Sequence, residues 1–260
     1  MLIVLFNKEI KPTVAYGVIV ASIALGIIAI VAARPWGPEL GPSFSPARIA
    51  LAYVATFLTL FLPGIIVASL FIKDPRFKMP LMRTRKAEKS MFSTYTLTAA
   101  AVVAAVYAVG GILTGVNIDL PALITGFTAT YFGPVVSLIA WFVGFFVRWA
   151  IGGASWLRTA LLVPTLAMID SGTWALASYI YWKVVRTFGK YSVFKVALGI
   201  FAMILVHMYG WLCIYAGVLN PAPAAVAYIA FAFSTWYPTA IAFIVLGAIV
   251  GEAAYRKARI

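Results

Sequence analysis

The chain has 260 residues, of which 64% are hydrophobic and 10% are charged, and its mean hydropathy is +1.02. Soluble domains carry about 25% charged residues, so this composition excludes an ordinary soluble protein and favours an all-α integral membrane protein. The lone cysteine, Cys213, excludes a disulfide or a cysteine metal site within the chain, and we expect no metal and no cofactor. The absence of Gln, with only three Asn, is consistent with a thermophilic source.

Hydrophobic runs predict about eight transmembrane segments, because a membrane helix needs roughly 20 mostly apolar residues. In chain order they cover 13–33, 49–72, 91–114, 120–132, 134–151, 158–182, 193–218 and 224–250. The short fourth segment is expected to be a tilted half-helix or a re-entrant piece. Pro238 is expected to loosen the eighth helix and free backbone carbonyls.

The charged residues suggest how these segments are arranged. We divide the chain into a two-helix N-terminal membrane extension (1–72), a basic cytoplasmic loop (73–90) and a six-helix bundle (91–260). With both termini and the loop in the cytoplasm, sixteen of the 20 Lys and Arg residues lie inside and four lie outside. The outer four are Arg34, Arg48, Arg148 and Arg158. This asymmetry predicts a multi-pass protein of the cell membrane, and it explains the net charge of +13 by topology and lipid contact rather than by nucleic-acid binding.

Ala100, Ala104 and Ala108 form a strip of small residues in the third segment. Their spacing of four places them on one helical face. Small residues allow helices to approach closely in a membrane. The alanine strip therefore favours either packing within the bundle or contact with a helix of a partner subunit.

A Gly133–Pro134 pair separates the fourth segment from the fifth, which contains Gly144 and ends near Arg148. From about residue 89 to residue 259, the chain resembles the S component of an energy-coupling-factor (ECF) transporter, a small membrane protein that captures a vitamin or similar micronutrient. The resemblance rests on the alanine strip, the short helix 120–132, the 132–134 junction and Gly144.

The resemblance implies that a coupling membrane subunit contacts the alanine strip and that ATP is hydrolysed on separate subunits. It also implies a substrate pocket formed by the outward loops and the last three helices. The first two segments are not part of the usual S-component pattern. The Gly-Pro pair, Arg148 and Gly152-Gly153 are also similar to the five-helix membrane domain of LytS-type sensor kinases.

Polar side chains within the hydrophobic segments are candidates for function, because they are costly inside a bilayer. Asp170, His207 and Tyr237 lie at similar depths in the last three segments. Asp170 and His207 either pair with each other or contact a substrate. Arg148 suits an anionic ligand group, whereas Asp170 suits a cationic ring or amine. The predicted substrate-binding residues are Asn117, Asp119, Arg148, Trp156, Arg158, Asp170, His207, Trp211 and Tyr237. The aromatic residues among them have the interfacial belt as an alternative role.

The sequence contains no Gly-x-Ser-x-Gly elbow, no His-Glu-x-x-His motif and no phosphate-binding loop, so we expect no enzymatic activity. It predicts the membrane-embedded substrate-binding subunit of an ECF-type importer of a vitamin-like micronutrient, energised by separate ATPase subunits. The alternatives are a non-catalytic accessory subunit of a larger membrane complex and a ligand-sensing membrane domain.

Overall fold

The fold is all-helical in a computed structural model, whose described residues are 11–77, 92–113, 119–152, 159–187 and 190–259. Helix accounts for 86% of the structure, and the described ranges contain no strand. Most of the predicted basic loop, 73–90, lies outside these ranges.

Nine helices make up the described part of the chain. In order they are α1 (Pro12–Ala33), α2 (Pro46–Lys73), α3 (Thr94–Leu113), α4 (Leu120–Tyr131), α5 (Pro134–Ala150), α6 (Val163–Arg186), α7 (Val193–Leu219), α8 (Ala222–Ser234) and α9 (Tyr237–Arg259). Two of them contain π-helical turns, Phe57–Phe61 in α2 and Tyr209–Ala216 in α7. Six helices (α1, α2, α3, α6, α7 and α9) are long and apolar enough to cross a membrane, which indicates a multi-pass membrane protein.

The eighth predicted segment, 224–250, is wrong as a single helix. Helix α8 ends at Ser234, a turn occupies residues 235–236, and α9 begins at Tyr237. Pro238 therefore lies in the first turn of α9, where its missing N–H has no helical partner to lose. The described part of the 91–260 region holds seven helices rather than six, and the count of about eight transmembrane segments is not confirmed.

The predicted break between α4 and α5 is present. Gly133 has a φ of +92°, in the left-handed region that favours glycine, and Pro134 is the first residue of α5. A Cβ at Gly133 would lie 2.7 Å from Cζ of Phe71. The break therefore depends both on backbone conformation and on the close approach of α2.

The two N-terminal helices share the core of the remaining helices. A Cβ at Gly64 of α2 would lie only 3.1 Å from Cα of Gly172 in α6, so these backbones nearly touch. One cluster of buried side chains combines Leu60 of α2, Leu166 of α6 and Ile214 of α7. Helix α2 is thus an integral part of the bundle.

The alanine strip is buried within the chain. Ala100 and Ala104 are each 3% exposed and Ala108 is 1% exposed. A Cβ at Gly144 of α5 would lie 3.2 Å from Cα of Ala104, so α3 and α5 approach closely at this point. In this arrangement the strip packs within the bundle, which is one of its two predicted roles. A partner would reach the strip only if the bundle opened.

Helices α4 and α9 form a parallel pair with glycines at its interface. A Cβ at Gly247 would overlap the carbonyl oxygen of Leu123, and a Cβ at Gly126 would overlap that of Ile244. The Thr130 hydroxyl donates a hydrogen bond to the Ala248 carbonyl at 3.2 Å. This contact fixes the wall of the bundle that α4 and α9 build.

We predict that Gly247→Ala destabilises the protein by about 1–3 kcal/mol, because the added methyl group forces the α4 and α9 backbones apart. The matched control is Gly17→Ala, since a Cβ at Gly17 meets no atom within 4 Å. Thermal unfolding in detergent measures both effects. Equal shifts for the two variants would contradict the close contact.

Candidate functional site

The bundle contains a partly open cavity of about 640 Å³. It lies in the half of the bundle where α3, α5 and α7 end and α4, α6 and α8 begin. Aromatic rings form much of its wall: Phe44, Tyr107, Trp141, Trp174, Trp211, Tyr215, Tyr228, Phe231 and Trp236. The polar and charged side chains on the wall are Ser43, Asp119, Thr125, Arg148, Asp170, His207 and Asn220.

A hydrogen-bonded cluster surrounds the buried carboxylate of Asp170 on α6. The Tyr107 hydroxyl donates to Oδ2 at 2.8 Å, and the Trp211 indole N–H donates to Oδ1 at 3.0 Å. Arg148 donates from Nη1 to the Tyr107 hydroxyl oxygen at 3.3 Å. Each carboxylate oxygen therefore has a neutral donor, and the guanidinium group lies one hydroxyl away from the carboxylate.

Local backbone features place the members of this cluster. The Arg148 side chain crosses α3 at Gly111, where a Cβ would overlap the guanidinium nitrogen Nε. The Tyr107 ring packs edge-on against Trp141, with ring centroids 4.6 Å apart. Trp211 belongs to the π-helical turn of α7, a feature often found at functional sites.

His207 belongs to a second, separate cluster. Its Nδ1 lies 3.1 Å from the Tyr237 hydroxyl, and the two rings stack with centroids 5.6 Å apart. The Trp174 ring lies on another side, 5.3 Å from the His207 ring. Asp170 and His207 thus take different hydrogen-bond partners, so the predicted pairing between them is absent from this arrangement.

Asp119 lies at the beginning of α4 and serves both that helix and the cavity wall. Its carboxylate accepts a hydrogen bond from the Ala122 N–H at 3.0 Å, which caps the helix. Burial raises the pKa of Asp119 above its usual value, while this hydrogen bond and the charge of Arg148 lower it. Among the described residues, no group of three His, Cys, Asp or Glu side chains is placed to hold a metal ion.

The structure brings most of the predicted site residues together. Five of them line the cavity: Asp119, Arg148, Asp170, His207 and Trp211. Tyr237 reaches the same region through its hydrogen bond with His207. Asn117, Trp156 and Arg158 lie outside the described residues.

Tyr107, the residue that connects Arg148 to Asp170, is not among the predicted site residues. A signal for it was available, because Tyr107 lies three residues after Ala104 and so shares the face of the alanine strip. Among the described residues of α3, it is the largest polar side chain on that face. Trp141 was also missed, although it lies three residues before Gly144 and therefore on the same side of α5.

Comparisons with protein families, with curated proteins and with solved structures gave no match.

We predict that Tyr107→Phe destabilises the protein by about 1–3 kcal/mol, since one oxygen of the buried Asp170 carboxylate loses its donor. Tyr53→Phe is the matched control, because the Tyr53 hydroxyl donates to the Leu161 carbonyl at an exposed position. We expect about 0.5 kcal/mol or less for the control. Thermal unfolding in detergent distinguishes them, and similar losses would show that the Asp170 cluster contributes little.

Proposed function

We propose that the protein is the substrate-binding membrane subunit of an ECF-type importer and that the cavity holds a small, vitamin-like molecule. The observation that carries this proposal is an aromatic cavity of about 640 Å³ containing the Arg148–Tyr107–Asp170 cluster. Small-molecule sites are typically clefts of roughly 300–1,000 Å³ with apolar walls and a few convergent polar groups. Both the size and the lining fit that description.

The chemistry of the wall suggests how a ligand is held. The rings of Trp141, Trp174 and Trp211 offer flat surfaces on which a planar ligand group stacks. Arg148 suits a carboxylate or phosphate on that ligand. Asp170 suits an amine or a ring N–H. Three charged residues on a cavity within a hydrophobic bundle are expensive to keep, which favours a functional role over a purely structural one.

The remaining parts of the proposal follow from the asymmetry of the basic residues and from the resemblance to S components. The protein resides in the cell membrane with both termini in the cytoplasm, and the cavity faces outward. Separate ATPase subunits supply the energy through a coupling membrane subunit. The alanine strip is buried, so we place the coupling contact on the neighbouring, exposed side of α3, where Ala101 and Ala105 lie.

A thermal-shift screen of the purified protein against vitamins, nucleobases and their precursors tests ligand binding. A ligand at about 100 times its Kd stabilises the folded protein by about 2.7 kcal/mol. We expect Asp170→Asn and Arg148→Lys each to abolish the shift produced by such a ligand. Ser234→Ala should retain it, because the Ser234 hydroxyl bonds the Phe231 carbonyl at an exposed position.

Two outcomes would overturn this assignment. One is a ligand whose shift survives both cavity variants, which would place binding elsewhere. The other is an empty screen combined with no small molecule detected by mass spectrometry of the protein purified from its native membrane. That second result favours an accessory subunit of a larger membrane complex.

We predict that Ala105→Leu lowers co-purification of ATPase subunits from the native membrane, because a larger side chain keeps a partner helix at a distance. Val102→Leu is the control, since Val102 is an exposed residue of α3 that is already large. Quantitative mass spectrometry of the purified complex gives the ratio of ATPase subunits to this protein. Unchanged recovery with Ala105→Leu would place the coupling contact on another surface.

A further inference from the structure

Residues 34–45 form the connector between α1 and α2, and Arg48 holds it in one conformation. Arg48 is fully buried at the start of α2. Its guanidinium donates hydrogen bonds to the carbonyls of Pro35, of Gly37 at 2.8 Å and of Gly41 at 2.9 Å. One side chain therefore satisfies three backbone acceptors and folds the connector back over its own helix.

The connector is also attached to the turn between α7 and α8. The Phe44 N–H donates to the Leu219 carbonyl at 3.0 Å, and the Ala222 N–H donates to the Trp36 carbonyl at 3.1 Å. These two backbone bonds join distant parts of the chain at the end of the bundle where the cavity lies. The connector is thus fixed on both sides.

Phe44 lies where the connector meets the cavity. Its φ is +60°, a left-handed conformation that costs a bulky residue energy unless the surroundings impose it. The Phe44 ring packs against Tyr215, with centroids 6.3 Å apart, and both residues line the cavity. The surroundings thus hold a large ring at the cavity edge in an unfavourable backbone conformation.

We propose that Phe44, positioned by the Arg48-held connector, is a wall of the ligand cavity that determines how large a ligand is accepted. This assignment rests on the proposed function, because it takes the cavity to be the ligand site. It gives the two N-terminal helices a role in substrate selection. Phe44 is a specificity-determining residue, and Arg48 is a positioning residue that acts through it.

Reactivity of a cysteine placed inside the cavity tests this wall without a natural ligand. In a Cys213→Ala background, Thr125→Cys introduces one thiol on the α4 side of the cavity. The probes are 2-(trimethylammonium)ethyl methanethiosulfonate and the bulkier 3-(triethylammonium)propyl methanethiosulfonate. They carry the same charge and differ in size. Mass spectrometry of the intact protein in detergent gives the modification rate for each probe.

In the parent protein we expect the smaller probe to react faster. Phe44→Ala should reduce that preference by about tenfold, because a size difference of one methylene in an apolar pocket already changes discrimination by about tenfold or more. Trp36→Ala is the matched control on the same connector, since the Trp36 side chain is 50% exposed and is not on the cavity wall. It should leave the preference unchanged.

Arg48→Lys keeps the charge but removes the planar group that reaches three carbonyls, so the preference should also fall. If Phe44→Ala unfolds the protein, Phe44→Leu gives the same comparison with a smaller expected change. Equal acceleration of both probes in the Phe44 variants would overturn the proposal, as would identical behaviour of Phe44→Ala and Trp36→Ala.

The outcome is distinguishable from failure of the proposed function. A changed size preference together with an empty ligand screen would support the role of Phe44 as a cavity wall and contradict the importer function. A ligand bound through Asp170 and Arg148 together with an unchanged size preference would support ligand binding in the cavity and contradict the role of Phe44.

Discussion

The structure depends on keeping the Asp170 carboxylate satisfied inside a hydrophobic bundle. An ionisable group buried there is costly unless other groups bond it. Its two donors come from different helices, Tyr107 on α3 and Trp211 on α7, and Arg148 reaches the cluster from α5. Four helices must therefore keep their relative positions to within hydrogen-bonding distance. The aromatic cavity lies where these constraints meet.

Close helix packing maintains those positions. Helix α6 carries Asp170 towards the cavity and Gly172 towards α2, where the backbones of the two helices nearly touch. Gly144 plays the same part between α5 and α3, and Gly247 between α9 and α4. Lipid offers little hydrophobic drive for helices to associate, so such van der Waals contacts are the main source of cohesion. The glycines that hold the bundle together also hold the cavity open in a fixed shape.

The sequence predicted the helical class and the break at Gly133, and five of the residues it marked as substrate-binding line the cavity, because hydropathy and spacing report depth and face directly. It did not predict the hydrogen-bond partners of the cavity residues. Asp170 and His207 lie at equal depth and line the same cavity. Their hydrogen-bond partners differ, however: Asp170 bonds Tyr107, and His207 bonds Tyr237. The turn before Tyr237 was missed although Ser234, Thr235 and Pro238 stand there, because the apolar residues on both sides together have the length of one transmembrane segment.

The role of the connector was the least accessible to sequence reasoning, and it changes the view of the N-terminal helices. From the sequence, Arg48 was predicted only to be one of four outer arginines. Nothing in the neighbouring residues indicates that its side chain donates hydrogen bonds to the carbonyls of Pro35, Gly37 and Gly41. With these hydrogen bonds formed, Phe44 is fixed beside Tyr215, and the α1–α2 connector forms part of the cavity wall. A helix pair that only anchored the protein would have no need of a buried arginine or of a strained phenylalanine at the cavity edge. Their cost is explained if the pair helps to select the ligand.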